Sequence, residues 1–441
     1  MPRLAVLYRH IDRKCQNRYD KSEFCFYSEE NSMAVIKPMV RSNICINAHP
    51  IGCAKDTVRQ IEYVLSQKKK RGIKSLKEGG KGPKTVLVLG CSTGYGLASR
   101  ISAAFEYGAD TIGVSFEKEP TETKGGTPGW YNNMQFEKSA KAAGLKAVSF
   151  NADAYSDECR QTVISEIKKW GTKFDLIIYS LASPVRTDPD TKVLYKSVLK
   201  PIGEVYKGPS LDMMTGKMTD LEAQPANEEE IANTVKVMGG EDWERWIKQL
   251  GEADVLAEGC RTIAYSYIGP KLSHAIYRDG TIGAAKKDLE ARAKTIDAQL
   301  KKIGGAAYVS VNKGLITRSS AVIPIVVLYL GCLFKVQKAQ GKHEGCIEQM
   351  ERLFAERLYT GADSAADKVP VDEENRIRID DWELDPETQK IIDGKMAKLT
   401  QDTINDVVDL DGIRHDFLAI NGFDVEGVDY EKDLARMDVI D

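Results

Sequence analysis

The chain lacks any long run of apolar residues. Its most apolar stretch, from Ala321 to Phe334, has fourteen residues and contains Pro324. A helix that crosses a bilayer needs about 20 apolar residues in succession. We therefore predict that this stretch is a buried helix, and we expect no stable insertion into a membrane.

An excess of charge of one sign is also absent, because 62 Lys and Arg residues face 65 Asp and Glu residues and leave a formal net charge of −3. Nothing in this balance indicates a nucleic-acid partner. The nine cysteines include no Cys-x-x-Cys pair and are odd in number. This usage favours reduced thiols in a cytoplasmic protein. Cys45 and Cys53 flank His49, but a fourth ligand is missing, so we predict no metal site.

The sequence does contain a regular alternation of short β-branched runs and amphipathic segments from Thr85 onward. This alternation is typical of a parallel sheet with helices on both faces. The predicted fold class is therefore α/β, with a Rossmann-type doubly wound parallel sheet. The predicted strands cover residues 85–90, 111–116, 147–151, 174–180, 261–267 and 307–312, and three of the predicted helices run to about residue 107, over 131–144 and over 157–170.

Several elaborations surround this predicted core. We expect residues 1–32 to be an N-terminal extension that is disordered or foreign to the rest of the protein, because they are polar and aperiodic. Residues 33–441 are expected to form a single enlarged domain that starts with a strand at Met33–Pro38. An insertion over 183–260 contains a tryptophan-bearing helix, and a mixed C-terminal segment covers 340–441.

Three further features have structural interpretations. The basic stretch before the first strand of the sheet is predicted to lie in a solvated, glycine-containing loop, because a run of like charges is usually hydrated, and a contact with a cofactor or coenzyme phosphate is the alternative. The stretch consists of Lys68–Arg71 with Lys74, Lys77, Lys81 and Lys84. His49 and His343 are predicted to be hydrogen-bonded structural histidines.

A glycine-rich run directly follows the first predicted strand of the sheet and opens a helix. Small side chains there allow a pyrophosphate to approach the backbone N–H groups at the positive end of the helix. The spacing predicts a dinucleotide-binding loop, and a plain glycine-rich turn is the alternative. The residues of the run are Gly90, Cys91, Ser92, Thr93, Gly94, Tyr95 and Gly96.

The second predicted strand ends at Phe116 and is followed by Glu117. In this fold an acidic residue at that point faces the ribose hydroxyls of the adenosine. Its carboxylate would repel the 2′-phosphate of NADPH, so Glu117 favours NADH. Lys118 follows immediately and would soften that repulsion.

Tyr277 and Lys286 lie downstream of the glycine-rich run. A tyrosine and a lysine downstream of a dinucleotide loop are typical of nicotinamide-dependent reductases. Nine residues of unbroken helix amount to roughly 900°, so the two side chains would point in opposite directions. Gly280 and Gly283 lie between them. We therefore predict a loop after Tyr277 and a new helix whose first turn carries Lys286.

From about Met33 to its C-terminus the chain resembles the FabV-type trans-2-enoyl-CoA, or enoyl-acyl-carrier-protein, reductases. The first 32 residues depart from that pattern. The stretches that carry the resemblance are Gly90–Gly96, Gly129–Asn133, Tyr179–Asp188, Val237–Trp243, Ala264–Pro270 and His343–Gln349.

The resemblance implies an activity. A trans-2-enoyl thioester, on coenzyme A or on an acyl carrier protein, would be reduced by NADH to the saturated acyl thioester in fatty acid synthesis or fermentation. Tyr277 would donate to the enolate oxygen and supply the proton. Lys286 would hold the nicotinamide ribose and, by its charge, favour the tyrosinate. Tyr267 would be the substrate-side partner.

The resemblance also implies a short-chain-reductase-like fold, a monomer, and an acyl pocket lined by the apolar helix from Ala321. It implies further cofactor contacts in three places, which are the adenine, the adenosine side and the nicotinamide amide. The corresponding residue groups, in that order, are Asp153 and Ala154, then Leu181 and Ala182, then Leu315, Ile316 and Thr317.

A carbonyl (3-ketoacyl) reductase of the short-chain class is the alternative enzyme, because Tyr267 and Lys271 form a Tyr-x3-Lys pair. Gly269 and Pro270 lie between them and cannot continue a helix, so the two side chains would not share a face. The serine that such enzymes need upstream is missing as well. A cofactor-binding protein without catalysis is the third possibility.

Overall fold

The computed structural model describes most of the chain from Val35 onward. The expected N-terminal extension, residues 1–32, lies outside the described residues. The residues that the structure describes are 35–41, 43–121, 124–321, 323–360 and 369–434, without the side chains of 324 and 325.

The strands are numbered in chain order. They are β1 Val40–Arg41, β2 Ile44–Cys45, β3 Thr85–Leu89, β4 Asp110–Ser115, β5 Ala147–Asn151, β6 Phe174–Tyr179, β7 Val185–Thr187, β8 Leu194–Lys196, β9 Tyr206–Leu211, β10 Met218–Ala223, β11 Leu256–Ser266, β12 Ala306–Val311 and β13 Arg376–Arg378.

The α-helices are α1 Pro50–Arg71, α2 Gly94–Ile101, α3 Pro128–Ala142, α4 Asp157–Trp170, α5 Glu228–Met238, α6 Glu241–Glu252, α7 Lys271–His274, α8 Thr281–Leu300, α9 Pro324–Gln340, α10 Cys346–Leu353, α11 Pro386–Met396, α12 Ile404–Val407 and α13 Leu410–Ala419. Two π-helical turns, Ser102–Tyr107 and Phe354–Leu358, extend α2 and α10, and two 3₁₀ turns lie at Leu76–Glu78 and Lys301–Ile303.

The central sheet has seven strands in the described chain, in the order β13-β12-β11-β6-β3-β4-β5, and every neighbouring pair is parallel. From β3 the chain builds outward through β4 and β5, and it then returns to place β6 on the other side of β3. The crevice between the carboxyl ends of β3 and β6 is therefore the switch point at which such sheets bind ligands. The predicted doubly wound parallel sheet is confirmed.

The inner strands are apolar on both faces. All five residues of β3 and all six of β12 are buried. Val86–Leu89 and Ala306–Val309 alternate between two hydrophobic clusters, one on each side of the sheet. Helices cover both faces of a parallel sheet, so its strands have no polar side. At the outer edge β5 is only half-buried.

Helix α1 ends where a loop was predicted. Lys68–Arg71 form its last turn, and Gly72 closes the helix in the left-handed conformation with φ 67°. Basic side chains are favourable at the negative end of a helix. Arg71 also pairs with the buried carboxylate of Glu351 at 2.6 Å. The predicted solvated loop at Lys68–Arg71 is therefore wrong.

The predicted strand at Met33–Pro38 is also wrong in its described part, since residues 35–39 form no strand. The side chain of Asn47 replaces a partner strand. It donates to the carbonyl of Lys37 at 2.8 Å and accepts from the backbone N–H of Met39 at 2.8 Å. Pro38 lies between them and has no N–H to offer a ladder. The first hairpin, β1 and β2, follows this segment.

The insertion over 183–260 joins the core through α6. Trp243 and Trp246 on this helix are fully buried. Their indole N–H groups donate to Thr262 Oγ1 at 2.8 Å and to the carbonyl of Ala154 at 3.0 Å. One bond reaches β11 and the other the loop after β5, so the insertion packs on the sheet.

The C-terminal segment adds β13 to the sheet edge and places α11, α12 and α13 around α9. The predicted buried helix is confirmed as α9, with Val327, Leu330 and Phe334 fully buried. In the part of the chain that the structure describes, no helix is both long and apolar enough to cross a bilayer. Because both elaborations share cores with the sheet, we propose a single enlarged domain for residues 33–441.

Candidate functional site

The predicted cofactor residues lie after the carboxyl ends of five parallel strands. The glycine-rich run follows β3, Glu117 follows β4, and Asp153 follows β5. Leu181 follows β6, and Thr317 follows β12. Because the carboxyl ends of parallel strands meet at one edge, the structure collects these residues along a single edge of the sheet.

Each of the three positions in the run is glycine for a different structural reason. Gly90 has φ 85°, and a Cβ there would lie 2.3 Å from the carbonyl oxygen of Ser180. Gly94 has φ 56° and begins α2. A Cβ at Gly96 would lie 1.9 Å from the carbonyl oxygen of Gly90. The loop is thus folded tightly against the end of β6, with backbone N–H groups at the start of α2, as the spacing predicts.

The other side chains of the run anchor the loop. Thr93 is the N-cap residue of α2 in an extended conformation, and Cys91 is fully buried. The Tyr95 hydroxyl donates to the backbone carbonyl of Lys313 at 2.6 Å, just after β12. The Ser92 hydroxyl donates to Glu117 Oε1 at 2.6 Å. The loop is therefore connected to both ends of the prospective cofactor cleft.

The carboxylate of Glu117 is bonded to the protein. Besides Ser92 it accepts from Thr127 Oγ1 at 2.5 Å, and Arg318 Nη1 lies 3.4 Å from its Oε2. A Cβ at Gly129 would lie 2.2 Å from its Oε1, so that glycine makes room for it. Each carboxylate oxygen accepts about two hydrogen bonds. One acceptor site on Oε1 is left for a ribose hydroxyl.

The adenosine end of the edge is shaped by the residues beside Glu117. Phe116 is 81% exposed, which leaves an aromatic face open at the end of β4. Asp153 Oδ1 accepts the backbone N–H of Tyr155 at 2.9 Å, and Ala154 is buried under Trp246. Ala182 is exposed.

At the other end of the edge, Leu315 and Ile316 are buried. A Cβ at Gly94 would lie 3.8 Å from Cγ2 of Thr317, so the loop after β12 faces the glycine-rich loop. The backbone N–H of Thr317 donates to Ser320 Oγ at 2.8 Å. The predicted nicotinamide contact at Leu315–Thr317 therefore lies beside the predicted dinucleotide loop.

Tyr277 lies in the turn between α7 and α8. Its backbone carbonyl accepts from the N–H of Gly283 at 3.0 Å, and a Cβ at Gly283 would lie 1.8 Å from the carbonyl oxygen of Arg278. Gly280 is the N-cap of α8, and Lys286 lies in the second turn rather than the first. The predicted break after Tyr277 is confirmed, and the predicted position of Lys286 is off by one turn.

Lys286 is half-buried and donates from Nζ to the backbone carbonyl of Tyr265 at 2.9 Å. Burial lowers the pKa of this ammonium to about 8. Burial also raises the pKa of the Tyr277 phenol to about 12. Burial is the first cause of both shifts, and the stabilisation of a tyrosinate by the charge of Lys286 stays a prediction.

Tyr267 packs against Tyr277. Their ring centroids are 5.2 Å apart with an interplanar angle of 72°, an edge-to-face arrangement. The Tyr267 hydroxyl donates to Oε1 of Glu383 at 2.8 Å. The structure thus brings the two predicted tyrosines together, and it commits the hydroxyl of Tyr267 to the protein.

Glu383 and Arg318 were missed by the sequence reasoning. Glu383 lies 116 positions after Tyr267, and Arg318 lies 201 positions after Glu117. Neither residue belongs to a motif with a fixed spacing, so no local signal points to it. The Tyr-Ser-Tyr run at residues 265–267, which spans the end of β11, is the nearest clue, because Tyr265 contacts Lys286 and Tyr267 contacts Glu383.

The alternative Tyr-x3-Lys pair is not assembled. Tyr267 follows β11, Gly269 has φ 71°, and Pro270 is the N-cap of α7. Lys271 begins that helix and is exposed. Tyr267 and Lys271 therefore share no helical face, as the intervening residues predict.

The two singled-out histidines have structural partners. His49 is the N-cap of α1, and its Nδ1 accepts the backbone N–H of Gly52 at 3.1 Å. His343 Nδ1 lies 3.3 Å from Lys313 Nζ, and burial lowers the pKa of His343 to about 3. Both predictions are confirmed. Within the described ranges no group of three His, Cys, Asp or Glu side chains could hold a metal ion.

The fold and this site define a nicotinamide-dependent reductase of the Rossmann type. Three family models match the chain in order. They are described as the NAD(P)H binding domain of trans-2-enoyl-CoA reductase, over residues 35–122, the trans-2-enoyl-CoA reductase catalytic region, over 124–359, and the enoyl reductase FAD binding domain, over 371–434. The chain belongs to the trans-2-enoyl-CoA reductase family, and the resemblance is confirmed.

Similar proteins agree with this assignment. A trans-2-enoyl-CoA reductase (NADH) of Treponema denticola is 60% identical over 92% of this chain and 100% of that protein. An enoyl-acyl-carrier-protein reductase (NADH) of Flavobacterium johnsoniae is 51% identical over 91% and 98%. Among solved structures, the Treponema denticola reductase in complex with NAD has a TM-score of 0.87, with 59% identity over 92% and 100% of the chains. The Clostridium acetobutulicum trans-2-enoyl-CoA reductase in complex with NADH has a TM-score of 0.85, with 43% identity over 91% and 98%.

The flavin in the name of the third model does not fit the residues present. In the described part of 371–434, helices α11 to α13 turn their apolar side chains onto α9, including Ile392, Ile413 and Phe417. A Cβ at Gly331 of α9 would lie 2.4 Å from Cγ1 of Val408, so the two layers are in close contact. A flavin ring needs an open apolar slot, and this surface is filled by protein. We derive no flavin step.

Proposed function

We propose that this protein reduces the carbon–carbon double bond of trans-2-enoyl thioesters to the saturated acyl thioester. NADH supplies the hydride, which is added to the β-carbon. The electron pair of the double bond then moves toward the thioester oxygen, and the negative charge that develops there needs a hydrogen-bond donor. Tyr277 is that donor, and a proton ends on the α-carbon.

The difference between the two phenols carries this proposal. The Tyr267 hydroxyl donates its hydrogen bond to Glu383 Oε1 at 2.8 Å. Tyr277 makes no side-chain hydrogen bond to any described residue, so its hydroxyl is free for a substrate carbonyl. Burial holds the pKa of Tyr277 at about 12, so the phenol keeps its proton at neutral pH and acts as a donor rather than as a base.

Lys286 is the residue that we assign to the nicotinamide ribose. One of its three N–H protons is used by the carbonyl of Tyr265, which fixes the direction of the side chain. The other two remain for ribose hydroxyls. The residues around the glycine-rich loop fit the rest of the dinucleotide, because backbone N–H groups meet the start of α2. We propose the same contacts that the sequence indicated at Phe116, Glu117, Asp153, Ala154, Leu181, Ala182, Leu315, Ile316 and Thr317.

The reacting group is an α,β-unsaturated acyl thioester, whether the acyl chain is carried by coenzyme A or by an acyl carrier protein. The names of the similar proteins include both coenzyme A and acyl-carrier-protein forms. Helix α9 meets the Tyr267 end of the site at Leu330, whose Cδ2 would lie 2.7 Å from a Cβ at Gly314, on a different side from the packed helices α11 to α13. We assign this side of α9 to the acyl chain, because the helix carries no charged side chain from residue 326 to residue 334. We assign Tyr267 to the same substrate side through its ring rather than through its hydroxyl.

The test follows the loss of NADH absorbance with crotonyl-CoA, crotonyl-acyl-carrier protein and acetoacetyl-CoA as parallel substrates. We expect oxidation of NADH with at least one crotonyl thioester and none with acetoacetyl-CoA. The two crotonyl arms decide which carrier is used. Oxidation only with acetoacetyl-CoA would establish the carbonyl reductase instead, and binding of NADH without any turnover would leave a cofactor-binding protein.

The monomeric state and the cytoplasmic location remain predictions. The seven described cysteines are all free thiols, which is the state that a reducing compartment would maintain. Light scattering behind a sizing column would measure the mass. A mass twice that of the 441-residue chain would contradict the monomer.

A further inference from the structure

Glu383 is a fully buried carboxylate in the loop between β13 and α11. Its Oε1 accepts the hydroxyls of Tyr267 at 2.8 Å and Tyr329 at 2.9 Å. Its Oε2 accepts the backbone N–H of Gly314 at 2.6 Å. One side chain therefore joins the ends of β11 and β12 to helix α9.

The geometry around Gly314 shows that this contact is built into the fold. A Cβ at that position would lie 2.9 Å from the Tyr267 hydroxyl and 2.7 Å from Cδ2 of Leu330. Only glycine leaves space for the phenol to reach the carboxylate. Gly314 also immediately precedes the predicted nicotinamide contact that begins at Leu315.

Such a carboxylate is costly in the interior. Burial raises the pKa of Glu383 to about 6 and lowers the pKa of the neighbouring Lys313 to about 8. Lys313 is itself bonded to the carbonyl of Glu344 at 2.9 Å. An apolar residue would avoid the desolvation of a charge. The three hydrogen bonds of Glu383 thus indicate a task that an apolar residue could not perform.

We propose that Glu383 is a positioning residue for the reduction, which turns the hydroxyl of Tyr267 away from the thioester and holds its ring against Tyr277. The inference rests on the proposed function, because it explains why Tyr277 is the only one of the two phenols that can donate to the developing enolate. Without Glu383 the Tyr267 hydroxyl would compete for the substrate oxygen. Its ring would also cease to define the position of Tyr277.

The test is a double-mutant cycle with Glu383→Gln, Tyr267→Phe and the double variant. If Glu383 acts through Tyr267, Glu383→Gln lowers turnover about 10- to 100-fold in the unmodified protein, since a misplaced donor costs that much, and causes no further loss in the Tyr267→Phe background. KM for the enoyl thioester is expected to change little, because the donor acts in the transition state. Multiplicative losses in the double variant would overturn the proposal.

Glu344→Gln is the matched control. Glu344 is another buried carboxylate close to Lys313, but it binds Arg352 and Gln349 and no tyrosine. Its effect is expected to be the same in the unmodified protein and in the Tyr267→Phe background. Coupling of Glu344 to Tyr267 as strong as that of Glu383 would show a general effect of buried charge and would contradict the inference.

Glu383→Asp covers the case in which Glu383→Gln does not fold. It keeps the charge and shortens the side chain by one methylene, so the carboxylate withdraws from Tyr267. We expect Glu383→Asp to lower kcat in the unmodified protein. In the Tyr267→Phe background the same substitution should cause no further loss of kcat. Failure of the unmodified protein to reduce any enoyl thioester would refute the proposed function, whereas independent losses in an active protein would refute only the role of Glu383.

Discussion

Lys286 Nζ lies 2.9 Å from the backbone carbonyl oxygen of Tyr265, and this hydrogen bond fixes α8 to the end of β11. Tyr267 follows two residues later and packs on Tyr277. The bond therefore relates the lysine to both tyrosines although eight residues separate it from Tyr277. It explains how a long Tyr–Lys spacing can serve one site, and it leads to the predictions below.

Tyr277→Phe is expected to lower kcat by about 10²-fold or more, because the enolate loses its donor. The dissociation constant of NADH should stay unchanged. Stopped-flow turnover and a fluorescence titration with NADH measure the two quantities. Tyr195→Phe, in the hairpin of β7 and β8, is the control. Turnover within a few-fold of the unmodified protein would remove Tyr277 from the mechanism.

Lys286→Ala is expected to weaken NADH binding and to slow turnover, since it removes the ammonium assigned to the ribose and releases the carbonyl of Tyr265. A loss of roughly 1.5–3 kcal/mol, typical of a hydrogen bond to a charged group, is expected in the binding free energy. Calorimetric titration with NADH measures it. An unchanged dissociation constant would show that Lys286 does not contact the ribose. Lys287→Ala, one residue further along α8, is the control.

The affinity for NADH should depend on pH through Lys286. Burial lowers its pKa to about 8, so the ammonium is present below that pH and is lost as the pH rises through it. We expect NADH binding to weaken between pH 7 and pH 9 in the unmodified protein, and to be flat over that window in Lys286→Ala. A slope that survives the substitution would assign the titration to another group, of which Lys313 is the first candidate.

Glu117→Ala should narrow the preference for NADH, mainly by improving kcat/KM with NADPH. A like charge at about 4 Å costs roughly 4 kcal/mol at an effective dielectric near 20, and Arg318 and solvent reduce this upper figure. Because Glu117 also binds Ser92 and Thr127, some loss with NADH is expected too. Glu119→Ala, an exposed neighbour with the same charge change, is the control. Equal efficiency of the unmodified protein with both cofactors would refute the assignment.

Asp242→Asn should destabilise the fold strongly. Asp242 and Arg160 form a fully buried ion pair, and Tyr179 donates to the same carboxylate at 3.1 Å. Neutralising Asp242 leaves the buried Arg160 with Asp157, at 3.0 Å, as its charged partner on the helix surface. Breaking a buried ion pair costs about 3–5 kcal/mol, and the contact with Asp157 places the expected loss at the lower end of that range. Urea unfolding measures the loss. Glu252→Ala, in an exposed pair with Lys248, should change stability by less than about 1 kcal/mol. A similar small effect for Asp242→Asn would mean that the buried pair is dispensable.

Much of the central fold follows from local patterns. The strand Ala147–Asn151 and the helix Asp157–Trp170 agree with the predicted ranges, because a short strand-like run and an amphipathic helix are visible within one short window. The break at Gly280 is equally local. By contrast, Arg376–Arg378 is too short to show a recognisable strand pattern in the sequence, and it forms a strand only by pairing with β12.

The sequence by itself determined the parallel sheet, the glycine-rich loop and the Tyr277–Lys286 pair, since each depends on side-chain size and spacing within about thirty residues. Only the tertiary structure decided which phenol keeps a free hydroxyl, because Tyr267 meets Glu383 across 116 positions. It also decided that Glu117 is bonded to Ser92, Thr127 and Arg318. Hydrogen bonds between distant segments depend on how the layers pack, and no spacing along the chain encodes that distance.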